Sequence, residues 1–133
     1  MSLKYLIVID FEANCLEGRN IYPQEITEFP AIPIDLQTKT IEYNKTFHHY
    51  CKIDVDVTPY ATELTGITQE MCDGGLPFKN VHSKFQDWCR EHGFNAINSV
   101  IVTCGNWDFK TAFPAQCKYS NLSIPEICKN GVM

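Results

Sequence analysis

The chain has 133 residues, of which 44% are hydrophobic, 12% aromatic and 20% charged, the balance of one ordinary globular domain and not of a disordered or collagen-like chain. Eleven Lys and Arg against 16 Asp and Glu leave a formal charge of −5, which excludes a broad basic face and leaves nucleic-acid contact local or assisted by metal. Seven cysteines, an odd number with no Cys-x-x-Cys pair, fit free thiols in a reducing, intracellular compartment, cytoplasmic or nuclear. No stretch approaches the roughly 18 apolar residues of a membrane span, so no membrane partner is expected.

Tyr5-Leu6-Ile7-Val8-Ile9 is a continuous β-branched and aromatic run, which predicts a central strand buried on both faces. Glu25 to Ile34 alternates imperfectly and carries Pro30 and Pro33, whose missing donors suit an edge or a bulge. Thr40 to Tyr43 and Lys45 to Ile53 read as the following strand, completing a three-strand antiparallel meander. Thr58 before Pro59, with Gly66 beyond, predicts a short capped helix. Thr68 reads as a second N-cap, with Ile67 and Cys72 as its hydrophobic staple. Phe78, Val81, Phe85, Trp88 and Cys89 recur at helical spacing between Pro77 and Gly93, a long amphipathic helix. Val100 to Cys104 is a second apolar strand reached through a helix, hence parallel to its neighbour. Pro114 and Pro125 interrupt the C-terminal residues, and no further strand is expected before Met133.

Asp10 and Glu12 follow the first apolar strand two residues apart, so the strand period turns both to one side. Asp108 follows the second, and ligand sites in open α/β sheets favour the carboxyl ends of strands. Three converging carboxylates repel one another unless a hard cation such as Mg²⁺ discharges them; the alternative is three solvated turn residues.

Val8-Ile9-Asp10-Phe11-Glu12-Ala13-Asn14-Cys15, Gln24-Glu25-Ile26-Thr27-Glu28-Phe29-Pro30, Leu64-Thr65-Gly66-Ile67-Thr68-Gln69 and Gly105-Asn106-Trp107-Asp108, in this order, resemble the DEDDh 3′–5′ exonucleases. Their nearest likeness is to the subgroup of exoribonucleases related to the 3′ histone-mRNA exonuclease and its prion-protein-interacting relative. The resemblance covers Tyr5 to Lys129. It implies an RNase H-like α/β domain spanning 1–133, with a mixed sheet and flanking helices, C-terminally truncated against the family. It also implies a metal-dependent exoribonuclease that hydrolyses the 3′ end of single-stranded RNA with two Mg²⁺ or Mn²⁺ ions. By that pattern Asp10, Glu12 and Asp108 are the catalytic metal ligands, and Leu64, Gly66, Ile67 and Trp107 bind substrate. For Gly66 a plain helix stop, and for Trp107 a core position, remain open alternatives.

The family's third motif, His followed five residues later by Asp, has no counterpart in positions 109–133. His49 with Asp54 and His82 with Asp87 have the spacing but sit on a strand and in a helix, and neither is assigned to catalysis. His48 and His92 read as ordinary surface or half-buried residues. A weak or inactive nuclease is therefore expected of these residues alone, with possible self-association through an incomplete sheet flank where Phe109, Phe113 and Leu122 are partly uncovered. The competing readings are a non-catalytic metal- or RNA-binding fragment, and a haloacid-dehalogenase-type phosphatase with Asp10 as nucleophile and Thr103 as partner. Lys110, Lys118 and Lys129 either follow the substrate backbone or line a solvated helix face.

Overall fold

The structure, a computed structural model, describes residues 3–132. One mixed sheet holds β1 (Tyr5–Ile9), β2 (Glu12–Ala13), β3 (Ile26–Asp35), β4 (Thr40–Ile41), β5 (Phe47–Lys52), β6 (Leu76–Pro77), β7 (Ser99–Val102) and β8 (Gly131–Val132). Its order is β6-β5-β3-β1-β7-β8, with β2 and β4 paired onto β3. β1, β3 and β5 form the antiparallel meander, and β7 lies parallel to β1. Among the described residues four α-helices join them: α1 (Pro59–Thr65), α2 (Gln69–Asp73), α3 (Phe78–His92) and α4 (Phe113–Tyr119), the last preceded by a π-helical turn over Asp108–Ala112.

The helix limits follow the capping residues. Thr58 accepts from the Ala61 amide and Gly66 ends α1 at φ +79°, where only glycine escapes the left-handed penalty. Thr68 accepts from Met71 at the start of α2. α3 sets Phe78, Val81, Phe85, Trp88 and Cys89 against Ile7, Phe29, Ala31, Phe47 and Ile101 of the sheet. These buried side chains are the odd-numbered residues of β1, β3, β5 and β7, so alternation alone aims one sheet face at the helix. Each large side chain so buried contributes roughly 1.5–3 kcal/mol.

Four expectations are corrected. β1 is central but not buried on both faces: Ile7 and Ile9 are buried, whereas Leu6 and Val8 on the second face are half-buried. The proline-bearing β3 is also central, not an edge. It tolerates Pro33 because that residue's peptide group faces the short β4 side, where its carbonyl accepts from Glu42. A further strand exists, since β8 pairs parallel to β7 with Gly131 opposite Ile101; two residues are too few to show a period. Phe113 is not uncovered but 1% exposed, enclosed by Phe11, Phe29, Phe78 and His82, while Phe109 and Leu122 pack partly buried on the same core.

Candidate active site

The site is built where the β1 ladder breaks. Ile9 pairs with Ala31 and Glu12 with Glu28, a register that sets Asp10 opposite Pro30. Even-numbered residues of β3 turn their peptide groups toward β1, as Leu36 does in donating to Lys4 O at 2.9 Å. Pro30 has no N–H to give there, so the rung at Asp10 lacks its donor and the strand is released at the residue that carries the carboxylate. Asp10 is exposed, Glu12 half-buried, and the Phe11 side chain between them is buried on the opposite face.

Asp108 reaches the site through a backbone vacancy of a second kind. Odd-numbered residues of β1 donate toward β7, beginning with Tyr5 N to Asn98 O at 3.0 Å. The series would bring Phe11 to Cys104, but β7 ends at Val102 and the chain turns away through Gly105 at φ +97°. The Phe11 amide instead donates to Asp108 Oδ2 at 2.8 Å. A carboxylate thus takes the place of the missing carbonyl and fixes Asp108, 3% exposed, beside the acidic strand.

The three carboxylates feel one another. Burial, and then the charges of Asp10, Glu28 and Asp108, hold the Glu12 carboxyl above its ordinary range. Burial also raises Asp108; the Phe11 amide opposes that shift and the Asp10 charge adds to it. Among the described residues no three His, Cys, Asp or Glu side chains are gathered closely enough to enclose a metal ion. The donor set still fits Mg²⁺ or Mn²⁺, because Mg²⁺ keeps several waters and binds through one or two carboxylates plus substrate phosphate, without an all-protein cage.

Around this centre the other expected residues divide. α1 is tied to the acidic segment by Asn14, which is fully buried: its Nδ2 donates to Asp56 O at 3.1 Å and its Oδ1 accepts from Thr58 N at 2.9 Å. The Thr58 hydroxyl in turn donates to Cys15 O. At the far end of α1, Leu64 is 64% exposed and Gly66 has open space where a Cβ would stand. Ile67 turns its side chain into the core, with its amide and carbonyl bonded to Thr65 and Thr62. Trp107 is 38% exposed, which removes the core alternative.

None of the four histidines touches Asp10, Glu12 or Asp108 by hydrogen bond. His82 is buried with Nε2 on Ser123 O, His49 packs on Phe47, and His92 packs on Trp88 and Phe94. His48 shares the acid-bearing face and pairs with Glu28 at 2.5 Å. Asp54 is taken by the Tyr119 hydroxyl and Asp87 by Arg90, so neither His-Asp pair of matching spacing assembles. Lys129 pairs with Glu126 at 2.8 Å, whereas Lys110 and Lys118 are exposed. Thr103 is buried and donates to Gly105 O at 2.7 Å.

Sequence reasoning missed the Phe11 amide, Asn14, Glu25 and Gln116 as the groups that hold the site together. Glu25 accepts from Asp54 and Val55, and Gln116 Oε1 accepts from Ile26 N at 2.8 Å. The signal for Glu25 was present, a carboxylate just ahead of an apolar strand, but its partners lie about 30 residues away.

Carboxylates beyond the ends of two parallel strands, on this mixed sheet, fit the class of nucleases. A family model described as Exonuclease (RNase_T) matches residues 7–130, and the chain belongs to that family, in its DEDDh 3′–5′ branch. It is 39% identical over 132 residues to ERI1 exoribonuclease 3 of Homo sapiens, covering 96% of this chain and 38% of that protein. Among solved structures it resembles cell-death related nuclease 4 (CRN-4), with TM-score 0.89 and 25% identity over 95% of this chain and 43% of the other. It also resembles the nuclease domain of 3′hExo bound to rAMP, with TM-score 0.86 and 32% identity over 94% of this chain and 64% of that domain. The chain therefore spans about two fifths of the length of the exoribonuclease relative. No helix among the described residues is long and apolar enough to cross a membrane.

Proposed function

We propose that the protein to which this chain belongs is a divalent-metal-dependent 3′–5′ exoribonuclease acting on the 3′ end of single-stranded RNA. The observation that supports this most directly is the Phe11 amide bond to Asp108, which ties a third carboxylate to the segment that carries Asp10 and Glu12. Asp10, Glu12 and Asp108 would hold the two Mg²⁺ or Mn²⁺ ions of the family, which supply an activated water and stabilise the attacking and leaving oxygens. Leu64, Gly66, Ile67 and Trp107 would border the terminal nucleotide; an exposed aromatic face stacks on any base and suits sequence-tolerant binding. RNA as substrate draws support from the exoribonuclease relatives and from the rAMP-bound neighbour.

The 133 residues by themselves should turn over slowly, since no histidine hydrogen-bonds Asp10, Glu12 or Asp108 and general base catalysis is worth typically 10²–10⁴-fold. Purified chain is assayed with Mn²⁺ on 3′-labelled linear and circular single-stranded RNA, beside its Asp108→Ala variant. Slow release of 5′-mononucleotides from the 3′ end of the linear RNA, lost in the variant, is expected. Equal cleavage of circular RNA would overturn the exonuclease reading, and metal-dependent binding without any turnover would favour a non-catalytic RNA-binding role.

A further inference from the structure

Asp108 begins a turn wider than an α-helix. The Phe113 amide donates to the Asp108 carbonyl five residues back, while just upstream Lys110 N bonds Asn106 O four residues back at 2.9 Å. The widened turn holds one residue more than an α-turn would, and it ends directly at Pro114, the second residue of α4. Were the helix to continue in α register through this point, residue 114 would have to donate to the Lys110 carbonyl. Proline has no N–H, and its ring would strike that carbonyl. A π-turn moves the carbonyl aside, and such turns cluster at functional sites.

α4 cannot take up the difference by rotating. Phe113 and Cys117 are each 1% exposed in the core, and Gln116 Oε1 holds the Ile26 amide at 2.8 Å. With α4 fixed, the extra residue decides where Asp108 points. Each residue of an α-helix advances about 100° and 1.5 Å. Removing the wide turn would therefore swing the Asp108 carboxylate about 100° around the axis, off the Phe11 amide and away from Asp10.

We propose that Pro114 is the positioning residue for Asp108: by enforcing the π-turn over Asp108–Ala112 it rotates the Asp108 carboxylate onto the Phe11 amide and into line with the acidic strand. The metal-site part of this inference rests on the exoribonuclease reading; the amide part does not. The test uses the 133-residue chain, its Pro114→Ala variant, and a variant that combines Pro114→Ala with deletion of Lys110, an exposed residue inside the turn. The combined variant has the residue count of a continuous α-helix, so it returns Asp108 to its angle without proline.

Two readouts are taken: the ¹H–¹⁵N signal and hydrogen exchange of the Phe11 amide without metal, and Mn²⁺ affinity by electron paramagnetic resonance. In Pro114→Ala the Phe11 amide should lose its exchange protection and its carboxylate-bonded shift, and Mn²⁺ affinity should fall about ten- to a hundredfold, the usual effect of losing a group that orients a ligand. The combined variant should recover both. Unchanged Phe11 signal and affinity in Pro114→Ala would overturn the proposal. So would a loss that the deletion fails to repair, because proline would then act only through general stability of α4. A parent chain that bound no Mn²⁺ would sink the exoribonuclease reading while the amide signal still decided the role of Pro114.

Discussion

Phe11 shows how a single peptide group couples strand to site: its ring is buried in the core while its N–H holds the one carboxylate that does not lie on the acidic strand. The charges gathered there are a standing cost. Glu12 is held above its ordinary pKa by burial and by Asp10, Glu28 and Asp108, so the folded chain binds this proton more tightly than the unfolded chain. That contribution is fully present below the unfolded value, near 4.3, and is lost as pH rises through the higher folded value. At pH 7 ionised Glu12 therefore destabilises the metal-free fold. Glu12→Gln should raise the metal-free Tm at pH 7, show no such gain below about pH 4, and weaken Mn²⁺ binding. A lower Tm at pH 7 in thermal melts would contradict this. At this scale the shared side of Asp10 and Glu12 was legible from the two-residue period. The burial of Asp108 was not, because its partner lies 97 positions away in sequence.

Elements were legible where their own residues determine them, as with α3, whose apolar spacing, Pro77 and Gly93 coincide with its ends. The prolines of β3 suggested an edge or a bulge, whereas the strand is central, because the tolerance of Pro30 and Pro33 depends on what lies opposite each of them, which only the register reveals. Equally silent were the partners of the segment between β5 and α1, whose backbone amides and carbonyls are held by side chains distant in sequence. Asn14 holds Asp56 and Thr58, Gln69 accepts from Val57 at 2.7 Å, and Glu25 takes Asp54 at 2.8 Å and Val55 at 3.1 Å. Each of the two amides left without Glu25 costs roughly 1–3 kcal/mol, so Glu25→Ala should lose about 2–6 kcal/mol in urea unfolding. Glu25→Gln, which keeps one acceptor, should lose about half of that. Equal stability of Glu25→Ala and the parent chain would show that water replaces the carboxylate and that the segment is not strapped down.

Across the whole molecule an aromatic spine joins the site to the helix-covered face: Phe11 contacts Phe29 at 4.7 Å and stacks parallel on Phe113 at 5.7 Å, and Phe29 continues to Phe85 at 4.8 Å. A ligand that orders the acidic end is therefore bound to a part of the molecule that cannot open without the core. Such a ligand stabilises folding by RT ln(1 + [L]/Kd), about 2.7 kcal/mol at a hundredfold excess over Kd. For a domain of this size each kcal/mol moves Tm by roughly 3–5 °C, so saturating Mn²⁺ should raise Tm by about 10 °C. The informative control is Asp108→Asn, whose amide oxygen can still accept from the Phe11 N–H and so spares the backbone bond while removing the charge. Its metal-free Tm should stay near or above that of the parent, consistent with the raised Asp108 pKa, and its Mn²⁺ shift should shrink to within the error of the melt. Asp10→Asn should lose the shift as well. If Mn²⁺ moves all three melts equally, the cation binds elsewhere on this acidic chain, and Asp10, Glu12 and Asp108 are not its ligands.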